Sequence, residues 1–143
     1  IQLVAAVGAM LFVRLSARLG NLRALALGAA FWTLLCVMAY RVEFAGQFYA
    51  LAAAVGLVMG GSQALSRSTY SKFLPETMDH ASYFSFYDVS YYVGTVLGTL
   101  AYGLVYQITG DLRNTIVAIG LFFVLGLVLL LRVPREEQMV MAA

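Results

Sequence analysis

Charge is scarce in this chain of 143 residues: nine Lys+Arg and seven Asp+Glu make up only 11% of it, against about 25% in an ordinary soluble domain. Too few polar groups remain to cover a small globule, and an apolar fraction of 62% exceeds what one aqueous core of this size can hide. A free-standing soluble domain is therefore excluded. The formal net charge of +2 is too small to imply a nucleic-acid partner. The single cysteine, Cys36, closes no internal disulfide and has no second thiol with which to build a zinc site. The single histidine, His80, reads as a solvated loop residue. No Ser-His, His-Asp or paired-carboxylate set lies within the apolar segments, so hydroxyls there lack a base. The expectation is no enzyme, no catalytic residue, no metal and no cofactor. There is neither an initiator Met nor a basic start of the kind a secretory signal carries, and the chain reads as truncated at Ile1, inside a helix.

Apolar runs fill the space between the charges. A membrane-spanning helix needs about 20 mostly apolar residues, and five candidates occur, over residues 1–13, 24–40, 47–66, 82–108 and 115–131. The first rises only about 20 Å as helix and is too short to span unaided. Arg41, Glu43 and Ala45-Gly46 form a short polar turn after the second run. The longest loop follows Arg67 and contains Pro75, which stops any helix that reaches it. Gly110 suits a helix C-cap after the fourth run, and the tail from Arg132 to Ala143 returns to water.

Lys and Arg concentrate in short cytoplasmic loops, and here they alternate. Arg14, Arg18 and Arg23 follow the first run, Arg67 and Lys72 the third, Arg132 and Arg135 the fifth, leaving Arg41 and Arg113 on the opposite side. The first and third loops and the C-terminus are thus expected in the cytoplasm.

The second and fifth runs are almost featureless and should face lipid. The third and fourth carry polar stripes. At about 100° per residue, Asp88, Tyr92, Thr95, Thr99, Tyr102 and Tyr106 fall within about 40° of one line. Tyr49, Gly56, Gly60, Gln63, Arg67 and Tyr70 align on the third run in the same way. Polar groups in a span face a bundle interior or a hydrated cavity, so two stripes imply one shared crevice; interhelical hydrogen bonding is the competing reading for the Thr and Tyr residues. Asp88 requires a partner, and Arg67, near the same ends of consecutive antiparallel helices, is the expected one. The pairs Gly56/Gly60 and Gly94/Gly98 permit close helix approach. The aromatic cluster from Tyr83 to Tyr92 suits the headgroup belt.

The segments from Gly60 to Ser68 (GGSQALSRS) and from Phe84 to Ser90 (FSFYDVS) resemble the vacuole-effluxer-like branch of the major facilitator superfamily, also called the unknown major facilitator family. The resemblance implies an all-α membrane protein whose five runs are helices eight to twelve of twelve, most of a C-terminal six-helix bundle lacking its N-terminal half. Residues Val13 to Arg23 resemble the superfamily's cytoplasmic Gly-x-x-x-Asp-Arg-x-Gly signature. Arg18 and Gly20 match it and Arg23 adds charge to the same turn, while Val13 and Ala17 replace its first Gly and its Asp.

The implied activity is secondary active transport of a small solute by alternating access, and related transporters are associated with amino-acid efflux. Gln63, Tyr92, Thr95, Thr99 and Tyr102 are the expected substrate pathway, and Arg67 with Asp88 the gate or coupling pair. Expected partners are the lipid bilayer, the absent half and a small-molecule substrate, in a bacterial inner membrane. The rival is a small helical membrane protein with a structural role.

Overall fold

The computed structural model of the chain describes residues 2–75 and 78–133. They form five helices and, among the described residues, no strand: α1 (Gln2–Leu19), α2 (Asn21–Tyr40), α3 (Ala45–Lys72), α4 (His80–Thr109) and α5 (Leu112–Leu131). Four of these, α1, α2, α3 and α5, are long and apolar enough to cross a membrane. With 30 residues, α4 has the length, but its repeated Ser, Tyr, Thr and Gly residues dilute the apolar signal. The first run, expected to stop near Val13 and to be too short, continues through Arg14 and Arg18 to Leu19 and reaches spanning length. Arginine is a good helix former, so charge alone does not end a helix.

What ends α1 is a single residue. Gly20 has φ 85° and ψ 156°, a region essentially restricted to glycine. Its N–H donates to Ser16 O (2.9 Å) and its carbonyl accepts from Ala24 N (3.1 Å). The expected basic loop is therefore a one-residue corner. At the α2–α3 corner the Gln47 side chain accepts the backbone N–H of Glu43 (2.9 Å) and of Phe44 (3.4 Å). α3 runs two turns past the expected end at residue 66 and stops before Pro75. Gly110, at φ 64°, caps α4 and donates to Tyr106 O at 2.8 Å. Asp111 then caps α5, accepting from Arg113 N at 2.8 Å. The solvated tail expected from Arg132 onward lies outside the described residues beyond Val133.

The core sits where α1, α2 and α3 meet, around Phe12, Ala24, Leu35, Val58 and Leu65. Glycines set the α1–α3 spacing: a Cβ at Gly8 would collide with the Leu57 backbone, one at Gly60 with the Ala5 backbone, and one at Gly61 with the Phe12 ring. α2 joins α5 through the parallel stack of Trp32 on Phe123, with centroids 4.9 Å apart. α4 packs along α5 and contributes no buried residue. The close contact expected of Gly94 and Gly98 is not made within this chain, since among the described residues nothing lies within 4 Å of a Cβ placed at either.

Helix lengths place the site. At about 1.5 Å per residue, α2 and α5, with 20 residues each, rise about 30 Å and match the hydrocarbon core. α3 and α4, with 28 and 30 residues, rise about 42 and 45 Å. Their opposite ends are tied to α2 and α5 by short turns, so the excess lies at the C-terminal end of α3 and the N-terminal end of α4. Arg67 and Asp88 lie in those extra turns.

Candidate functional site

The C-terminal turns of α3 and the N-terminal turns of α4 are joined by side chains. Arg67 Nη2 lies 3.6 Å from Asp88 Oδ1, with the two side chains 59% and 45% exposed. This is ion-pair distance but too long for a hydrogen bond. The guanidinium also faces two rings of α4, its Cζ 5.7 Å from the Phe84 centroid and 6.0 Å from that of Tyr87, within the range of cation–π attraction. Ser66 Oγ and the Tyr87 hydroxyl are hydrogen-bonded at 2.8 Å, and the Tyr70 hydroxyl donates to Tyr83 O at 2.9 Å. The Tyr70 ring meets Phe84 edge-on at 6.1 Å and Tyr87 tilted at 5.0 Å.

Helical spacing explains the assembly. Ser66, Arg67 and Tyr70 share one face of α3, and Tyr83, Phe84, Tyr87 and Asp88 share one face of α4. The turn containing Pro75 brings these faces together. Asp79 fixes where α4 starts, its carboxylate accepting from Ser82 N at 3.2 Å. Hydrogen bonding from the Ser82 side chain and then from its backbone N–H holds the Asp79 carboxyl below its ordinary range.

The expected pathway residues are placed less compactly. Gln63 is exposed one turn before Arg67. Tyr92, Thr95, Thr99 and Tyr102 are exposed along α4. Thr95 Oγ1 donates to Tyr91 O (2.9 Å) and Thr99 Oγ1 to Thr95 O (2.8 Å). Their hydrogens are thus satisfied within the helix, while their lone pairs remain available as acceptors. No hydrogen bond joins Gln63 to this α4 face among the described residues. The α3 stripe is divided: Gly60 turns to α1 and Gly56 is buried, so neither shares an open face with Gln63. Arg18 and Arg23 are exposed on either side of the Gly20 corner.

Ser66, Phe84 and Tyr87 were not among the residues expected to act, although they lie in the two segments that carry the resemblance. The available signal was their spacing of four: Ser66 from Tyr70, Tyr87 from Tyr83 and Phe84 from Asp88. No group of three or more His, Cys, Asp or Glu suited to a metal occurs among the described residues.

A family described as vacuole effluxer Atg22-like matches residues 1–143. The chain belongs to this Atg22-like family. Relatives of the Atg22-like chain include an uncharacterized MFS-type transporter from Bacillus subtilis, YxiO, 33% identical over 136 residues, which cover 94% of this chain and 31% of that protein. Autophagy-related protein 22 of Vanderwaltozyma polyspora is 33% identical over 79 residues, 55% of this chain and 14% of that protein. The chain thus spans less than a third of the length of either relative. No solved structure matches it. Family membership and four helices fit to cross a bilayer make the Atg22-like chain an integral, multi-pass membrane protein.

Proposed function

We propose that the chain is part of a secondary active transporter that moves a small solute by alternating access, with the ends of α3 and α4 as its cytoplasmic gate. The observation that carries this reading is the Arg67–Asp88 contact at 3.6 Å inside an aromatic clamp. An exposed ion pair of this kind adds only about 0–1 kcal/mol to stability. Such a contact breaks and reforms at little cost, as a gate must, while the Ser66–Tyr87 and Tyr70–Tyr83 hydrogen bonds keep the two helix ends in register.

In this reading the five helices are helices eight to twelve of a C-terminal bundle completed by an N-terminal half. Residues 1–143 form that partial bundle, with α1 to α5 in place of the five runs. Gln63, Tyr92, Thr95, Thr99 and Tyr102 line the solute path as hydrogen-bonding groups, and Arg18, Gly20 and Arg23 form the tight basic corner of the superfamily signature. The alternation of basic residues supports a cytoplasmic C-terminus, and the similarity to YxiO of Bacillus subtilis supports a bacterial inner membrane. The family description supports efflux, and amino acids are the proposed solute.

The test is amino-acid transport by the intact protein in proteoliposomes. Arg67→Gln and Asp88→Asn should each lower the rate at least about tenfold, a barrier change of about 1.4 kcal/mol, without lowering the melting temperature. Wild-type rates in both variants would refute the gate.

A further inference from the structure

At the end of the helices opposite the Arg67–Asp88 pair, a groove of about 370 Å³ lies between α2 and α5. Thr33, Cys36 and Val37 line it from α2, and Val117, Gly120 and Val124 from α5. The small side chains of Cys36 and Gly120 leave room there, the position of a Gly120 Cβ lying 3.4 Å from Cys36 Cβ. Around the groove the surface is apolar and uncovered, with Val37 60% and Leu121 65% exposed. Among the described residues no other helix of this chain closes it.

One end of the groove carries two arginines. Tyr40 and Arg41, at the end of α2, line it. Arg113, in the first turn of α5, holds its guanidinium over the Tyr40 ring, 5.8 Å from the centroid. Neither Arg41 nor Arg113 lies within ion-pair distance of a carboxylate among the described residues. Both arginines sit at the end of a helix that matches the hydrocarbon thickness, which is headgroup depth.

From this geometry we infer that the α2–α5 groove binds one anionic phospholipid, its phosphate held by Arg41 and Arg113 and one acyl chain laid between the helices. The match is one of charge and polarity along a single axis: two guanidiniums where the phosphate sits, which make no ion pair among the described residues although Glu43 and Asp111 flank them in sequence, a tyrosine at the interface, and an apolar slot running inward. α2 and α5 have the length and hydropathy of membrane spans and carry exposed apolar side chains at the groove, so a bilayer lipid is the occupant that fits. The inference is independent of the transport reading.

Native mass spectrometry of the intact protein, offered phosphatidylglycerol or phosphatidylcholine with matched chains, tests it. Phosphatidylglycerol should be retained as a single adduct about tenfold more than phosphatidylcholine, and Arg41→Gln/Arg113→Gln should erase that preference. Val37→Trp, which fills the slot from an exposed position and spares both arginines, should lower retention of both lipids. Glycerophosphoglycerol, the same headgroup without chains, should not be retained. Equal retention of the two lipids, an unchanged preference in the double variant, or retention of the chain-free headgroup would each overturn the site.

Discussion

Two kinds of residue divide the labour between architecture and function. Gly8 and Gly60 let α1 and α3 approach until backbone meets side-chain space. Gly60→Val should force the helices apart and cost about 1–3 kcal/mol, the usual penalty of overpacking, read as a lower melting temperature in detergent. Gly20→Ala should cost about 1–3 kcal/mol because the corner conformation, φ 85° and ψ 156°, is strained for any residue with a Cβ. Tyr87→Phe removes the hydrogen bond to Ser66 but keeps the ring against Arg67. Its loss should be about 1 kcal/mol, with the aromatic clamp intact. Arg67→Gln should leave the melting temperature almost unchanged, so a transport defect there reports the gate and not the fold.

At the scale of the helices, the order of elements was legible because apolar runs between charges mark them. Their ends were not. Arg14 and Arg18 looked like loop residues, yet both continue α1, since only the backbone of Gly20 breaks the helix. Conversely, Gly110 was readable as a C-cap because a left-handed residue there has one common occupant. The pairing of Arg67 with Asp88 followed from antiparallel neighbours of known polarity. The clamp around it did not, because which faces of α3 and α4 meet depends on the connection between them and not on the periodicity of either helix. The α3 stripe misled for a related reason: glycine lies on the polar side of a helical wheel but packs like an apolar surface, and Gly60 serves α1.

The start of α4 offers a pH test. The Asp79 carboxyl lies below its ordinary range because of hydrogen bonds to Ser82, so its contribution to the cap is complete above the ordinary carboxylate range. It is lost as pH falls through the lowered folded-state value. Helicity at the α4 N-terminus, followed by amide protection of Ser82 at fixed temperature, should be constant near neutrality and fall only in strong acid. Asp79→Asn should remove this acid dependence. A loss of protection beginning at neutral pH would point to another group.

For the whole molecule, the account depends on a bilayer having two different surfaces to meet. α2 and α5 present apolar side chains, and α4 presents a line of hydroxyls that no other described residue of this chain covers. The transport reading requires that line to meet water. Thiol accessibility measures it directly in the intact protein, with Cys36 replaced by Ser and a membrane-impermeant maleimide as probe. Thr95→Cys and Thr99→Cys, on the hydroxyl line, should react. Leu97→Cys, on the opposite side of the same helix, should stay unmodified. Silence at Thr95 and Thr99, or equal labelling at all three positions, would contradict a water-filled path along α4.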